Sequence, residues 1–212
     1  MLIIGVTGSI GMGKTTVVKR LAEHGIPVFD ADAEVHRLYE GEAVEAIARA
    51  FPGTVEGGRV DRVRLAEKVL AEDDALARLE AIVHPMVRTA EHAFLARHAA
   101  AGAPMAALEI PLLFETGADQ WVDVTIVVSA SPATQRARVL ERAGMSPEKL
   151  EAIRAQQIPD QEKRKRADYV VDTDRAIEST AAEIDSIVES LEGREGRAID
   201  RWLADGAEGR AD

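Results

Sequence analysis

The strongest constraint on this chain is a glycine-rich segment near its N-terminus, set between a short apolar run and an amphipathic stretch. Residues 2–6 are apolar and mostly β-branched, which is typical of a buried strand. Residues 14–23 place apolar side chains at helical spacing. The segment between them matches the pattern G-x-x-x-x-G-K-[ST] with Gly8, Ser9, Ile10, Gly11, Met12, Gly13, Lys14 and Thr15. Strand, glycine loop and helix in this order are the setting that a phosphate-binding loop requires.

Each fixed position of this loop has a mechanical role in holding a nucleotide. Glycines let backbone N–H groups turn inward around a β-phosphate, and the following helix adds its positive N-terminal dipole. The Lys14 ammonium can bridge β- and γ-phosphate oxygens, and the Thr15 hydroxyl can coordinate Mg²⁺. We therefore predict ATP and Mg²⁺ as cofactors, with nucleotide contacts running from Gly8 to Thr16. The alternative is a glycine turn that matches by chance, and the flanking strand and helix argue against it.

Composition limits the partners. The 212 residues are 46% hydrophobic and 30% charged, which predicts one folded unit with a real core. A net charge of -11 argues against a nucleic-acid backbone as the main partner, and the lack of cysteine excludes disulfides and thiolate sites. Apolar runs fall short of the roughly 18 residues that span a bilayer, and the N-terminus does not resemble a signal peptide. We expect a cytoplasmic monomer or weak homo-oligomer with no nucleic-acid or membrane partner.

The remaining pattern alternates strands with helices. Further strands are predicted at residues 26–29, 105–108, 124–128 and 169–171. Helices are predicted over 33–101 with a break at 51–59, over 131–156 with a split near 144–147, and over 177–191. This alternation predicts an α/β fold with a parallel sheet covered on both faces, and residues 33–101 are too long for a simple crossover, so we interpret them as a helical insertion.

The class of nucleotide-binding protein follows from what the chain contains. A GTPase would need an Asn-Lys-x-Asp segment, and the chain has no asparagine. The small size and the helical insertion favour a small-molecule kinase over a motor ATPase. Asp30 and Asp32 follow the second predicted strand, at the sheet edge where ligands bind in open α/β folds. A carboxylate there can accept a proton from a substrate hydroxyl, hold Mg²⁺ through water, or simply cap the next helix, and the residues alone leave these roles open.

At this point the sequence resembles a known family, dephospho-CoA kinase. The segments that carry the resemblance occur in order: residues 5–15 (GVTGSIGMGKT), 29–32 (FDAD), 79–88 (LEAIVHPMVR), 109–115 (EIPLLFE) and 166–172 (RADYVVD). The resemblance runs from residue 2 to about 190. It implies a P-loop NTPase three-layer fold and transfer of the γ-phosphoryl group of ATP to the ribose 3′-hydroxyl of dephospho-CoA, the last step of coenzyme A synthesis.

The resemblance also assigns parts of the chain. Asp32 corresponds to the catalytic base of the family, with Asp30 beside it. The helical insertion, 33–101, corresponds to a CoA-binding domain, and 132–166 to a helical lid. The nucleotide-binding core then comprises 1–32, 102–131 and 167–192, and we expect 193–212 to form a flexible tail.

Other candidate residues are interpreted with this resemblance in view. Substrate contacts are expected from Asp30, His84, Pro85, Arg88, Leu112 and Phe114. The alternatives are that a lone His-Pro is more often a helix-breaking turn and that the two apolar residues suit packing.

Two arginines of the expected lid are candidates for the transferring phosphoryl group. Arg138 and Arg142 stand at i and i+4, so a single helix would present both on one face, which they share with Gln135. Two guanidiniums there could close over the phosphates, with Arg142 as a catalytic residue and Arg138 as a nucleotide contact. Ordinary pairing with neighbouring acids is the alternative.

Two positions depart from the family pattern. Glu109 stands where the family more often has Asp, and Thr173 stands where Asn is usual, so their roles stay open. Two other functions remain: a P-loop kinase for another small acceptor such as a nucleoside, a nucleotide or shikimate, or a nucleotide-binding regulator without turnover.

Overall fold

The computed structural model describes residues 1–208, with side chains through Asp205. The chain forms two compact units, one of residues 1–29 together with the chain from Leu95 onward and one of residues 30–94. In chain order the elements are β1 (Leu2–Thr7), α1 (Lys14–Glu23), β2 (Val28–Asp30), α2 (Ala31–Tyr39), α3 (Val44–Ala50), β3 (Val55–Glu56), β4 (Arg59–Val60), α4 (Arg62–Ala71), α5 (Ala75–Ala100), β5 (Met105–Glu109), a 3₁₀ turn (Ala118–Trp121), β6 (Val124–Ser129), α6 (Pro132–Leu140), α7 (Pro147–Ala155), α8 (Asp160–Arg166), β7 (Tyr169–Asp172), α9 (Ile177–Leu191) and α10 (Ala198–Glu208).

The larger unit is built on a five-stranded sheet in the order β2-β5-β1-β6-β7. The pairs β1–β5, β1–β6 and β6–β7 are parallel, and Ile4 of the central strand lies opposite Ala107 and Val124. All six residues of β1 and of β6 are buried, as expected for strands covered on both faces. The five strands predicted from the sequence, and the α/β fold class, are confirmed.

Alternate residues of the central strand face opposite layers. Leu2, Ile4 and Val6 belong to a core cluster with Val17 and Leu21 of α1, and α9 adds four further apolar side chains to the same cluster. On the other face, a Cβ at Gly5 would lie 3.1 Å from Val122 and 3.2 Å from Leu113, so only a glycine fits under this layer without movement. The sheet is therefore the middle of three layers.

The predicted flexible tail is wrong for the described part of that segment. Residues 198–208 form α10, in which Trp202 is 4% exposed, donates its indole N–H to the Trp121 carbonyl oxygen over 2.8 Å and packs edge-on against the Trp121 ring. Asp123 fixes the start of this helix, because its carboxylate accepts the backbone N–H groups of Ile3, Arg197 and Ala198 over 2.7–2.8 Å. The expectation of a flexible tail did not anticipate this contact between Trp202 and Trp121. Residues 209–212 lie outside the described chain.

The smaller unit is helical, and the predicted break at 51–59 contains a two-stranded hairpin, β3–β4, that turns at Gly57 and Gly58. Its core gathers apolar side chains of four helices around Phe51, which is 1% exposed. Pro85 lies inside α5 and does not end it, contrary to the turn expected of a His-Pro pair. Packing of Val83 and its apolar neighbours on both sides of Pro85 into this core favours continuing the helix, despite the backbone hydrogen bond that proline removes.

The predicted domain boundaries differ from the observed units by a few residues. β2 passes directly into α2, and α5 continues from the smaller unit into the larger one. Residues 132–166 belong to the larger unit. None of the helices within residues 1–208 has the length and apolar character needed to cross a bilayer.

The role of Asp123 can be tested by replacing it with alanine. Asp123→Ala leaves three backbone N–H groups without their acceptor, so we expect Tm to fall by about 5–10 °C and the emission of the two tryptophans to shift to the red. Asp119→Ala, at a nearby exposed carboxylate, is the control. An unchanged Tm and emission spectrum in Asp123→Ala would show that α10 is held by its apolar contacts alone.

A carboxylate on α5 makes stability depend on pH. Burial raises the pKa of Glu91 from 4.5 to about 7, against the opposing effect of the nearby Arg88 charge. The folded protein therefore holds a proton that the unfolded chain has lost between pH 4.5 and 7, and stability falls as pH rises through that interval. We expect Glu91→Gln to raise Tm more at pH 8 than at pH 5, by differential scanning fluorimetry. An equal shift at both pH values would contradict the assignment.

Candidate active site

The glycine loop connects β1 to α1, and its backbone is shaped by close approach of its surroundings. A Cβ at Gly8 would lie 2.4 Å from the Val128 carbonyl oxygen of β6, so this position admits only glycine without displacement of the strand. Gly13 has φ 89° and precedes the first residue of α1. This left-handed conformation lets the chain enter the helix directly from the loop.

The N-terminus of α1 is suited to an anion. Within the described chain, no side chain caps this helix and its first turn has no acidic residue, so no capping group or local acid competes with an anion there. Lys14 Nζ donates to the Gly8 carbonyl oxygen over 2.9 Å, which places the ammonium over the loop. Thr15 is exposed in the first turn, with its hydroxyl accessible to a metal ion. The loop therefore has the features that bind nucleotide phosphates.

Two side chains of α6 hold the loop from outside. Gln135 Nε2 donates to the Ile10 carbonyl oxygen over 2.8 Å, and Arg138 donates to the Thr173 hydroxyl and carbonyl oxygens over 2.9 and 2.8 Å. Thr173 in turn donates its hydroxyl to the Met12 carbonyl oxygen over 2.7 Å. Arg138 thus lies beside the loop, and Thr173 connects it to the loop backbone.

The prediction that Arg138 and Arg142 share one helix face is wrong. α6 ends at Leu140, and Arg142 lies exposed in the turn before α7. The cause is local: Gly144 takes a left-handed φ of 78°, and Ser146 caps the next helix, which begins at Pro147. Arg142 is therefore carried by a turn, while Arg138 is held in place by Thr173.

The two acids after β2 have different environments. Asp30 is the N-cap of α2, accepting the backbone N–H of Ala33 over 2.9 Å, so the capping interpretation is confirmed for this residue. Asp32 lies in the first turn of α2, is exposed, and makes no hydrogen bond or ion pair within residues 1–208. It lines a groove of the smaller unit, so its carboxylate remains available for an acceptor group.

The other predicted substrate contacts lie on two elements. His84, Pro85 and Arg88 are exposed on the middle of α5. Leu112 is exposed in the segment after β5, whereas Phe114 is buried in a cluster with Leu113 and Val127.

Glu109, which departs from the family pattern, is the half-buried last residue of β5 and pairs in register with Val6. Its carboxylate therefore stands at the carboxyl edge of the sheet, where ligands bind in folds of this kind.

The residue that sequence reasoning missed is Lys163. It is fully buried, and its Nζ lies 2.7 Å from Glu115 Oε1, which also accepts the backbone N–H of Ile158 over 2.9 Å. One turn on, the Arg166 guanidinium lies 5.9 Å from the centre of the Phe114 ring. These contacts fasten α8 to the 110–117 segment. The i,i+3 spacing of Lys163 and Arg166 indicates that both lie on one face of α8, but the sequence does not indicate which face of this basic helix packs inward.

Comparison with known proteins gives the family. The family model described as dephospho-CoA kinase matches residues 2–179. A dephospho-CoA kinase of Rhodopseudomonas palustris is 55% identical over 190 residues, which cover 90% of this chain and 96% of that protein. A solved structure from Thermus thermophilus has a TM-score of 0.79 at 39% identity, covering 91% of this chain and 98% of that chain. The dephospho-CoA kinase of Campylobacter jejuni has a TM-score of 0.68 at 25% identity, covering 89% and 96%.

The glycine loop ends at an uncapped helix N-terminus that suits an anion, and the matches cover most of the chain. The chain therefore belongs to the dephospho-CoA kinase family.

Proposed function

We propose that this enzyme transfers the γ-phosphoryl group of ATP to the ribose 3′-hydroxyl of dephospho-CoA and so forms coenzyme A in the cytoplasm. The observation that carries the proposal is the family match over residues 2–179, which includes the loop whose uncapped helix N-terminus suits a nucleotide. The smaller helical unit would bind dephospho-CoA, and residues 132–166 would act as the lid.

The nucleotide would be held by the glycine loop. Backbone N–H groups from Gly8 to Thr16 would surround the β-phosphate, and Lys14 would exchange its bond to the Gly8 carbonyl oxygen for phosphate oxygens. No group of three or more His, Cys, Asp or Glu that could hold a metal occurs in the described residues, so Mg²⁺ would depend on the phosphates for most of its ligands. The exposed Thr15 hydroxyl fits such a metal as its protein ligand.

Asp32 would orient the acceptor. Its carboxylate is free of protein partners in the described chain, so it can accept the hydrogen bond of the ribose 3′-hydroxyl and take its proton as transfer proceeds. Asp30 would hold Asp32 in place by capping the same helix. Because positioning and charge stabilisation supply most of the catalysis of phosphoryl transfer, the base need not be strong.

The lid arginines would divide the remaining work. Arg142 is exposed on a turn, so it can move onto the transferring phosphoryl group and neutralise its developing charge. Arg138 would keep the loop in shape beside the nucleotide through Thr173. Closure of residues 132–166 would exclude water, which otherwise competes with the acceptor.

The remaining contacts of dephospho-CoA would come from exposed residues of α5 and of the 110–117 segment. His84, Pro85 and Arg88 would lie along the substrate, with Arg88 offering a charge to its phosphates. Leu112 would give an apolar contact, and Phe114 would support it from beneath.

The activity is tested by ADP release coupled to product mass. With Mg-ATP and dephospho-CoA, we expect ADP release that depends on the acceptor and a product with the mass of coenzyme A. Release that depends only on a nucleoside, a nucleotide or shikimate would overturn the substrate. ATP binding without turnover on any acceptor would identify a regulator.

The base is tested by Asp32→Asn, which keeps the size of the side chain and removes the charge that accepts the proton. We expect kcat to fall by about 10²- to 10⁴-fold while the KM for ATP changes little, because the side chain acts on the acceptor. Glu40→Gln, an exposed carboxylate at the end of the same helix, is the control. Parent-like turnover in Asp32→Asn would rule out a proton-accepting role.

The two arginines are separated by parallel replacement with alanine. Arg142→Ala should lower kcat by about 10²- to 10³-fold without changing Tm, because the residue is exposed and acts only on the phosphoryl group. Arg138→Ala should also raise the KM for ATP and lower Tm, because Thr173, which is bonded to the loop at Met12, then loses the guanidinium that holds it in place. Steady-state kinetics and thermal melts give kcat, the KM for ATP and Tm of each variant. If the two variants changed all three quantities to the same extent, this division of roles would be refuted.

A further inference from the structure

The helical unit contains a groove of about 570 Å³ that combines opposite charges with an apolar wall. Asp32, His36 and Tyr39 of α2 line one side, and Arg62, Leu65 and Val69 of α4 line the other. A groove of this size, part apolar and with a few polar groups directed inward, is typical of a small-molecule site.

Arg62 differs from most arginines of this unit in its ion pairing. Five others are within ion-pair distance of carboxylates in the pairs Arg37–Glu34, Arg49–Glu45, Arg59–Glu40, Arg64–Glu56 and Arg78–Glu72. Arg62 makes no ion pair or hydrogen bond among the described residues, although it is the guanidinium that lines the groove. Its hydrogen-bond donors therefore remain available to a ligand anion.

Tyr39 supplies a second donor next to Arg62. Burial raises the pKa of its phenol, and the charge of Arg62 is close enough to oppose that rise. The phenol stays protonated at neutral pH, and its hydroxyl makes no hydrogen bond within the part of the chain that is described. A guanidinium and a neutral phenol, both unpartnered and close together, form a site for an oxyanion rather than for a cation.

We propose that Arg62, assisted by Tyr39, binds the 5′-diphosphate of dephospho-CoA and thereby sets the position of its ribose on Asp32. The inference rests on the proposed function. The diphosphate and the reacting 3′-hydroxyl belong to the same ribose, so one groove that offers a cation and a free carboxylate can hold both. A planar guanidinium suits this role because it can engage phosphate oxygens with two parallel N–H donors. The apolar residues of the groove contact the uncharged parts of the substrate.

The proposal predicts a loss confined to the acceptor. In Arg62→Ala we expect the KM and the calorimetric Kd for dephospho-CoA to rise about 10- to 100-fold, with the KM for ATP within about two-fold of the parent. Arg62→Lys should fall between, because a point charge cannot reproduce the bidentate contact. Tyr39→Phe should give a smaller rise. Arg64→Ala, on the same helix but paired with Glu56, is the matched control and should leave the KM unchanged.

A truncated acceptor separates diphosphate binding from groove shape. Adenosine has the ribose but no diphosphate, so its Ki against dephospho-CoA should be the same in Arg62→Ala and the parent. If dephospho-CoA binds Arg62→Ala as tightly as the parent, or if adenosine weakens in parallel, the assignment of Arg62 is overturned. A parent that binds dephospho-CoA without phosphorylating it would overturn the proposed function instead, while the Kd values would still decide the role of Arg62.

Discussion

The hydrogen bond from the Thr173 hydroxyl to the Met12 carbonyl oxygen ties the phosphate loop to the end of the sheet, and much of the active site depends on it. A glycine-rich loop has many conformations of similar energy, so its shape must be imposed by neighbours. The Val128 carbonyl oxygen of β6 leaves no space for a side chain at Gly8, and Gln135 donates a hydrogen bond to the Ile10 carbonyl oxygen. Thr173 donates to the Met12 carbonyl oxygen and accepts a hydrogen bond from Arg138. The loop is thus preorganised by side chains that come from distant parts of the chain, and a preorganised backbone loses little entropy when a phosphate binds.

The expected lid is fastened to the same sheet by a second polar contact, the buried pair of Lys163 and Glu115. A fully buried ammonium is costly unless a carboxylate compensates it, so the pair tolerates few arrangements of α8. Ser129, at the end of β6, adds a bond of 2.7 Å from its hydroxyl to Asp160 at the start of α8. The base of this segment is therefore fixed, whereas the turn that carries Arg142 is exposed and has few constraints. Such a contrast is consistent with our proposal that residues 132–166 act as a lid over the nucleotide.

The charged side chains of the helical unit also fall into two groups, those with an ion-pair partner and those without one. Most of its arginines are near carboxylates on the surface, where ion pairs add little stability but occupy the charges. Asp32 and Arg62, which line one groove, have no such partner in the described residues. On our proposal, these two opposite charges serve the hydroxyl and the diphosphate of the substrate. The net charge of -11 describes the surface as a whole and does not reveal this local arrangement.

Local pattern in the sequence determined the five strands, the glycine loop, the long helices α1 and α9, and the family, because each depends on side-chain period or on a short motif in one segment. The sequence left open whether Asp30 caps a helix or contacts a ligand, and the structure shows that it caps α2. The tertiary structure alone decided the rest. Pro85 continues its helix because packing of the core beneath it outweighs one missing hydrogen bond, and α10 forms because Trp202 packs on Trp121. Of the four consecutive basic residues 163–166 in α8, Lys163 is the one that is buried and pairs with Glu115. These outcomes rest on contacts between residues far apart in the chain, and such contacts leave no mark on the local pattern.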